Sequence, residues 1–365
     1  MAHSHFILFI SFCFAVQSCG RKISKDSDPG FQYENAGTQQ PSQDSAQTTN
    51  QETDIRPEFP DTINNEFTAY CRDVTKSLDE SNSLDLFLKA VRARNCSEGY
   101  HLITNRTSLN LFNQGVTSIE ALKFFPHLED IILKNNQISD LSPLFGATSL
   151  VRIDLSNNSI EDVSPLAGKA QLKSIKLGQN TISDIGGLTE IPAIEQLILN
   201  DNPVTDLSPL SNLTTLLDLR LSRNNVTEIS PISTLINLAF LELNGNQLVD
   251  DQLTNLTDLI RMKEIYLSNN QLTDLSPLNQ MTKIDLLEAR GNQITSLTFA
   301  LGYERIINLL MSDNLITTLA PVSTLQVIGV LELNKNPIYS NRNEENCPTD
   351  DGVSDTIRRF CTLEN

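Results

Sequence analysis

Residues 150–166 read Leu150-Val151-Arg152-Ile153-Asp154-Leu155-Ser156-Asn157-Asn158-Ser159-Ile160-Glu161-Asp162-Val163-Ser164-Pro165-Leu166. Ile153 and Leu155 alternate with Arg152, Asp154 and Ser156, the period-two pattern of a short strand with one apolar face. Asn158 falls where the chain must leave that strand, and Ser164-Pro165 opens a turn or a helical turn after a loop. The frame recurs with its asparagine at Asn136, Asn158, Asn180, Asn202, Asn224 and Asn246, each 22 residues apart. After one interval of 24 residues it resumes at Asn270, Asn292, Asn314 and Asn336, again 22 apart. A degenerate copy with Leu109, Leu111, Gln114, Val116 and Ile119 comes first, which makes eleven repeats. The prolines at 143, 165, 209, 231, 277 and 321 keep the same phase.

One strand-and-turn unit cannot bury its apolar face, but stacked units bury theirs against each other. With neighbouring strands about 4.8 Å apart, eleven of them predict a parallel sheet roughly 50 Å long. A buried asparagine amide must be satisfied, so the ladder is expected to bond the loop backbones. This frame resembles the leucine-rich repeat family, in particular its 22-residue internalin-like class, over residues 105–340. The resemblance implies an α/β solenoid: a curved array with a parallel sheet on its concave side and short helical turns on its convex side. Two repeats depart from the pattern. The one after Asn246 has two extra residues, with Leu253, Leu256, Leu259 and Ile260 at helical spacing, and the one after Asn292 has Leu297-Thr298-Phe299 where proline is expected. A local change of curvature is expected at both.

The flanks read as caps and an export apparatus. Phe67, Tyr70, Cys71, Val74 and Leu78, then Leu84, Phe87, Leu88 and Val91, lie at helical spacing, with Ser81–Ser83 as a polar turn. They predict a helical hairpin over 62–95 inside an N-terminal cap, 62–104, that covers the open hydrophobic end of the array. Residues 341–365 read as a C-terminal cap, with Asp350 or Asp351 placed to start a helix carrying Val353, Ile357, Phe360 and Cys361. Phe6 to Val16 is an apolar run too short to span a membrane, a signal-peptide core within residues 1–18. It ends in Val16-Gln17-Ser18-Cys19-Gly20, which resembles the bacterial lipobox. That resemblance implies lipidation of Cys19 and anchoring at a bacterial outer membrane or cell surface. Ordinary cleavage near Gly20, which would discard Cys19 and leave a secreted soluble protein, is the alternative. Residues 19–61 are rich in Gln, Ser, Thr, Asp and Asn and read as a disordered tether.

Discounting Cys13 and Cys19, Cys71, Cys96, Cys347 and Cys361 permit three pairings. Two precede the repeats and two follow them, which favours Cys71–Cys96 and Cys347–Cys361 in an oxidising compartment. Close Cys-x-x-Cys spacing and neighbouring histidines are missing, so no metal is expected. The chain of 365 residues carries 27 Lys plus Arg against 45 Asp plus Glu, a net charge of −18 that disfavours nucleic acid. Of its four histidines only His101 and His127 lie beyond the export signal, and no hydrolase, zincin or phosphate-loop motif accompanies them. Neither enzymatic activity nor a cofactor is expected. The recurring acids Asp140, Asp162, Asp184, Asp206, Glu228 and Asp274 sit at equivalent turns, where they are expected to cap the convex-side helical turns.

Function is expected on the outward strand positions. Four residues before each repeat's turn come Asn110, Ile132, Asp154, Lys176, Ile198, Arg220, Glu242, Tyr266, Glu288, Leu310 and Glu332. Two residues earlier lie Asp130, Arg152, Asp218, Phe240, Glu264 and Asn308. Apolar and aromatic residues among them, where solvent is expected, mark a binding surface. The predicted interface is Arg220, Phe240, Glu242, Glu264, Tyr266, Glu288 and Arg290. The expected activity is capture of a protein or peptide by a monomer, in adhesion or envelope interactions. The alternative is an envelope spacer without a specific ligand.

Overall fold

The computed structural model describes residues 66–362 apart from 74, 126, 344 and 349–351. They fall in one unit of the chain, Pro57–Asn365. The signal segment, Cys19, the tether, Val74, Asp350 and Asp351 lie outside the described residues.

The strands form where the alternation predicts them. They are β1 Ser108–Asn110, β2 Asp130–Ile132, β3 Arg152–Asp154, β4 Ser174–Lys176, β5 Gln196–Ile198 and β6 Asp218–Arg220. After them come β7 Phe240–Glu242, β8 Glu264–Tyr266, β9 Leu286–Glu288, β10 Arg305–Leu310 and β11 Val327–Glu332. All eleven make one parallel sheet in chain order. Its register follows the repeat: Ile131 stands opposite Ile153, and Ile153 opposite Ile175. The central residue of each strand points inward and joins a single apolar core running from Phe67 to Phe360. The stacked parallel array that the spacing predicts is thus present, as the resemblance also implies.

The asparagine ladder works as expected from amide chemistry. The Asn158 amino group donates to Leu155 O (2.9 Å) in its own repeat and to Leu133 O (3.1 Å) in the one before, while its Oδ1 accepts from the Ile138 N–H (3.0 Å). The same pattern recurs at Asn202 and Asn314. Each asparagine therefore bonds two coils and fixes their stacking. Just before it the chain takes a left-handed step, with positive φ at residues such as Asn135 (60°), Asp201 (59°) and Arg223 (53°). At two of these positions, Gly245 (65°) and Gly291 (63°), glycine adopts the step without steric cost.

On the far side, tight helical turns begin at the Ser-Pro pairs, as in Ser142–Leu144 and Ser164–Leu166. The Asp140 carboxylate accepts from both the N–H (2.8 Å) and the hydroxyl (2.9 Å) of Ser142, and Asp162, Asp206 and Asp274 do the same for their serines. Asp184 and Glu228 each accept one backbone N–H two residues on. The recurring acids cap turns, as expected. The two departing repeats are accommodated differently. The extra residues after Asn246 build a short helix, α4 (numbered in chain order after the three cap helices below), Asp250–Leu253. The repeat without proline is followed by strands of six residues, β10 and β11, where three is the rule.

The N-terminal cap differs from its predicted form. It contains three helices: α1 Glu66–Arg72, α2 Leu78–Ala90 and α3 Cys96–Ile103. Ser81–Ser83 lie inside α2. The break falls earlier because Ser77 caps α2 by accepting the Glu80 N–H, and Asp73 holds the preceding turn through the Thr75 N–H. Leu78, assigned to the apolar face, opens the helix in solvent and is 75% exposed. Ser83 is buried and its hydroxyl accepts from the N–H groups of Thr117 and Ser118, seating α2 on the first repeat. The missed helix α3 carries its own signal, Asn95 accepting from the Glu98 N–H and Glu98 accepting from the Arg94 N–H. Cys71–Cys96 joins α1 to α3.

At the other end, α5 Pro337–Ser340 and α6 Asp355–Thr362 close the array, held by the Cys347–Cys361 bridge. Ile357 and Phe360 are buried, and the Thr356 hydroxyl donates to Ile328 O on β11 (2.6 Å). Both disulfides pair as the positions of the cysteines predict.

Candidate functional site

The outward face of the sheet is less exposed than expected. Lys176 and Ile198 are only 5% and 8% accessible, and most other outward residues are half-buried. With strands so close, long neighbouring side chains lie against each other along the face and cover one another. Ile198 is accordingly not an exposed apolar residue, and it drops out of the predicted apolar surface. Ile132, Leu310, Phe240 and Tyr266 remain partly open.

Six of the seven predicted interface residues are brought together on β6 to β9, and Arg290 lies two residues past the end of β9. Phe240 stands opposite Glu264, and Glu242 opposite Tyr266, so aromatic and acidic side chains alternate on both axes of the sheet. The two rings lie 5.1 Å apart, inclined by 34°. Arg220 places its guanidinium 4.4 Å from the centre of Phe240 and is held there by two 3.0 Å hydrogen bonds to Asp218. The Tyr266 hydroxyl donates to Glu264 Oε2 (2.9 Å). Burial, this hydrogen bond, and the charges of Glu264, Glu288 and Glu242 push its pKa up, so the phenol stays protonated and donating at neutral pH. Arg290 bonds Glu288 (3.0 Å) and Glu332 (2.7 Å). Burial works against its charge, but its hydrogen bond to Glu332 and the charges of both carboxylates outweigh that and raise its pKa. Glu332 is lowered in return, chiefly by the Arg290 hydrogen bond.

In the same outward row, just past the strand ends, runs a line of supports that reasoning from the sequence missed. Ser222, Ser268 and Ser312 are buried, and their hydroxyls donate to Glu242 (2.7 Å), Glu288 (3.0 Å) and Glu332 (2.8 Å) on the next strand. Asn200 adds its amide to Glu242 (3.2 Å). The signal was available: each serine stands two residues before a ladder asparagine, twenty before the glutamate it holds. Asp218 and Glu332, noted only as outward positions, belong to the same network.

Other candidates lead elsewhere. A hollow of about 600 Å³ on the adjoining rim is lined by Lys263, Lys283, Asp285, Glu304 and Arg305, where Asp285 already pairs with Lys263 (3.8 Å) and Arg305 (2.5 Å). His101 lies in α3 and His127 is exposed in the turn before β2. Among the described residues, no cluster of His, Cys, Asp or Glu is arranged to hold a metal ion, and no helix is long and apolar enough to cross a membrane.

Comparison with known proteins agrees with this geometry. The family model described as leucine rich repeat matches residues 148–204. No curated protein matches the sequence. An internalin (inlF) from Listeria monocytogenes is similar in structure at 25% identity, with a TM-score of 0.58 over 70% of this chain and 82% of that one. A leucine-rich repeat protein of Leptospira interrogans gives a TM-score of 0.63 at 21% identity, over 70% of this chain and 68% of that one. The leucine-rich repeat ectodomain of a plant membrane receptor kinase from Arabidopsis thaliana, solved in complex with Casparian strip integrity factor 2, gives 0.50 at 18% identity, over 65% of this chain and 36% of that one. The chain has the fold of a leucine-rich repeat solenoid, and the solved structures similar to it include internalins.

Proposed function

We propose that this chain is a non-catalytic binding protein outside the cytoplasm, whose sheet face captures a protein or peptide ligand. One observation carries the reading: Phe240 and Tyr266 form an aromatic pair on the sheet face, flanked by glutamates that serines and the Tyr266 hydroxyl hold in place. A surface fixed in advance loses little conformational entropy on binding, and aromatic side chains ringed by polar ones are the usual makeup of an interface hot spot. Leucine-rich repeat proteins commonly serve as interaction scaffolds, and the plant receptor neighbour was solved with its factor bound. Adhesion or contact within a cell envelope suits such a surface, and a lipid on Cys19 would hold it at a membrane.

Purified wild-type chain and a Phe240→Ser/Tyr266→Ser variant would be offered to the surface proteins of the source cells under chemical crosslinking. The expected outcome is a partner enriched by the wild type and reduced at least tenfold with the variant, as the loss of two central aromatics implies. Equal capture by both forms would refute this surface, and no enriched partner at all would favour a spacer. Mass spectrometry of the mature N-terminus tests the anchor: an acylated Cys19 is expected, and a chain starting near Gly20 would overturn it.

A further inference from the structure

The face is electrically uneven along its length. On the earlier strands two of the outward acids have cationic partners: Arg152 pairs with Asp130 at 2.5 Å and Arg220 with Asp218 at 3.0 Å. From β7 to β11 the outward positions carry Glu242, Glu264, Glu288 and Glu332; of the cations nearby, Arg305 at the start of β10 is offset by Asp285, and Arg290 lies just past β9. Arg290 is shared by Glu288 and Glu332. Glu242 and Glu264 receive hydrogen bonds from neutral donors among the described residues: the hydroxyl of Ser222, the amide of Asn200 and the phenol of Tyr266. Among the described residues no cation lies within ion-pairing distance of either carboxylate.

These two half-buried anions frame the aromatic pair diagonally. A second observation shows what such a frame accepts. The face of Phe240 already holds a guanidinium, that of Arg220, at 4.4 Å. Tyr266, its tilted neighbour, stands between Glu242 on one strand and Glu264 on its own and has no such cap among the described residues. A cationic side chain laid over Tyr266 would rest its methylene stem on the ring and reach both carboxylates with its head. It would also add counter-charge beside Glu264 and beside Glu242, which already faces Arg220 across the ladder without an ion pair between them.

We propose that the ligand of this face is a basic segment, an extended peptide or loop of a partner protein whose Arg or Lys side chain seats over Tyr266 between Glu242 and Glu264. This rests on the reading that the sheet face is the binding surface. The fit is one of charge: an excess of three carboxylates over β7 to β11 meets a cation, and the carboxylates are held in place before it arrives. Arginine satisfies the site best, since its planar fork can bond one carboxylate while stacking on the ring.

A random 12-residue peptide library displayed on phage, panned against the full chain and in parallel against the Phe240→Ser/Tyr266→Ser variant, separates the two claims. Clones bound by the wild type alone should be enriched in Arg and Lys. A synthetic peptide from the strongest clone should lose roughly tenfold in affinity with Glu242→Gln or Glu264→Gln and weaken as salt rises. Glu161→Gln, an exposed acid elsewhere, should leave binding unchanged. Face-dependent clones without basic enrichment would overturn the basic ligand and leave the surface standing. Basic clones that bind the serine variant or the Glu→Gln variants equally well would show nonspecific attraction to an acidic chain and overturn the proposal. If no clone distinguishes wild type from the serine variant, both claims fail.

Discussion

The asparagine ladder stakes each coil boundary on a single amide. Asn202 is buried, donates to Leu177 O (3.0 Å), Leu199 O (3.0 Å) and Asn200 O (3.3 Å), and accepts from the Ile182 N–H (3.1 Å). No hydroxyl or aliphatic side chain of similar size can donate twice and accept once from that position. Asn202→Asp keeps the shape and turns the donors into an anion facing three carbonyl oxygens. It should destabilise the array by about 3 kcal/mol at neutral pH, the range for an uncompensated buried polar change. The burden is electrostatic, so the new carboxyl would have its folded pKa raised and the folded state would hold the extra proton. Stability of the variant should therefore rise as pH falls from 7 towards 4. Urea unfolding at both pH values is the check, and a variant as stable as wild type at pH 7 would mean the ladder is not structural. The residue before each asparagine is as constrained, but its backbone sign cannot be read from spacing. Asn135, Asn157, Asn269 and the two glycines suit a left-handed step, whereas Arg223 and Lys335 adopt it against their own preference.

At the scale of single elements, what periodicity can express was legible in the sequence and what contact decides was not. Ile153 and Leu155 announce a strand because alternation is a property of one segment, and Asp162 with Ser164 announces a capped turn for the same reason. The placement of Ser81–Ser83 failed because serine is tolerated within a helix when a neighbouring element supplies its partner, here the Thr117 and Ser118 N–H groups. The serine supports beside Glu242, Glu288 and Glu332 were hidden likewise, since they act across strands. Lys169 is another such case. It follows the Ser164–Leu166 turn and is buried with its Nζ donating to Leu144 O (2.8 Å) and Phe145 O (3.4 Å), at the carbonyl end of the turn in the preceding repeat. Burial lowers its pKa below the ordinary 10.5. The unfolded chain then binds the extra proton in the window between the two values, so this group makes stability rise with pH there. Lys169→Met should flatten that rise in the window below 10.5, whereas Tyr70, Tyr266 and Tyr303, all raised, act in the opposite sense above their ordinary 10. Unfolding free energies measured across the window would show it, and an unchanged slope would place the origin in another group.

At the scale of the whole molecule, a stacked array has two open ends, and its integrity depends on what covers them. The last strand, β11, reads Val327-Ile328-Gly329-Val330-Leu331-Glu332 and, at six residues, is twice the length usual in this sheet. Val327 and Val330 remain about half exposed (51% and 49%). Its pairing with β10 leaves one side to the cap, where α6 packs and Thr356 bonds Ile328 O. A long apolar strand with a free edge is a template for pairing with another chain. The 14-residue separation of Cys347 and Cys361 gives their bridge about 3 kcal/mol in the chain-entropy model, all of it acting on this cap. Cys347→Ser with Cys361→Ser should therefore loosen α6 first. Because each coil contacts only its neighbours, amide exchange should rise in β10 and β11 while β3 to β7 stay protected. Light scattering should then report association that grows with protein concentration, and Val330→Lys, which puts charge on the uncovered strand, should suppress it. Uniform loss of protection along the array would show instead that the solenoid unfolds as one unit. Unchanged scattering would show that α6 stays docked without its disulfide, held by Ile357, Phe360 and Thr356 alone.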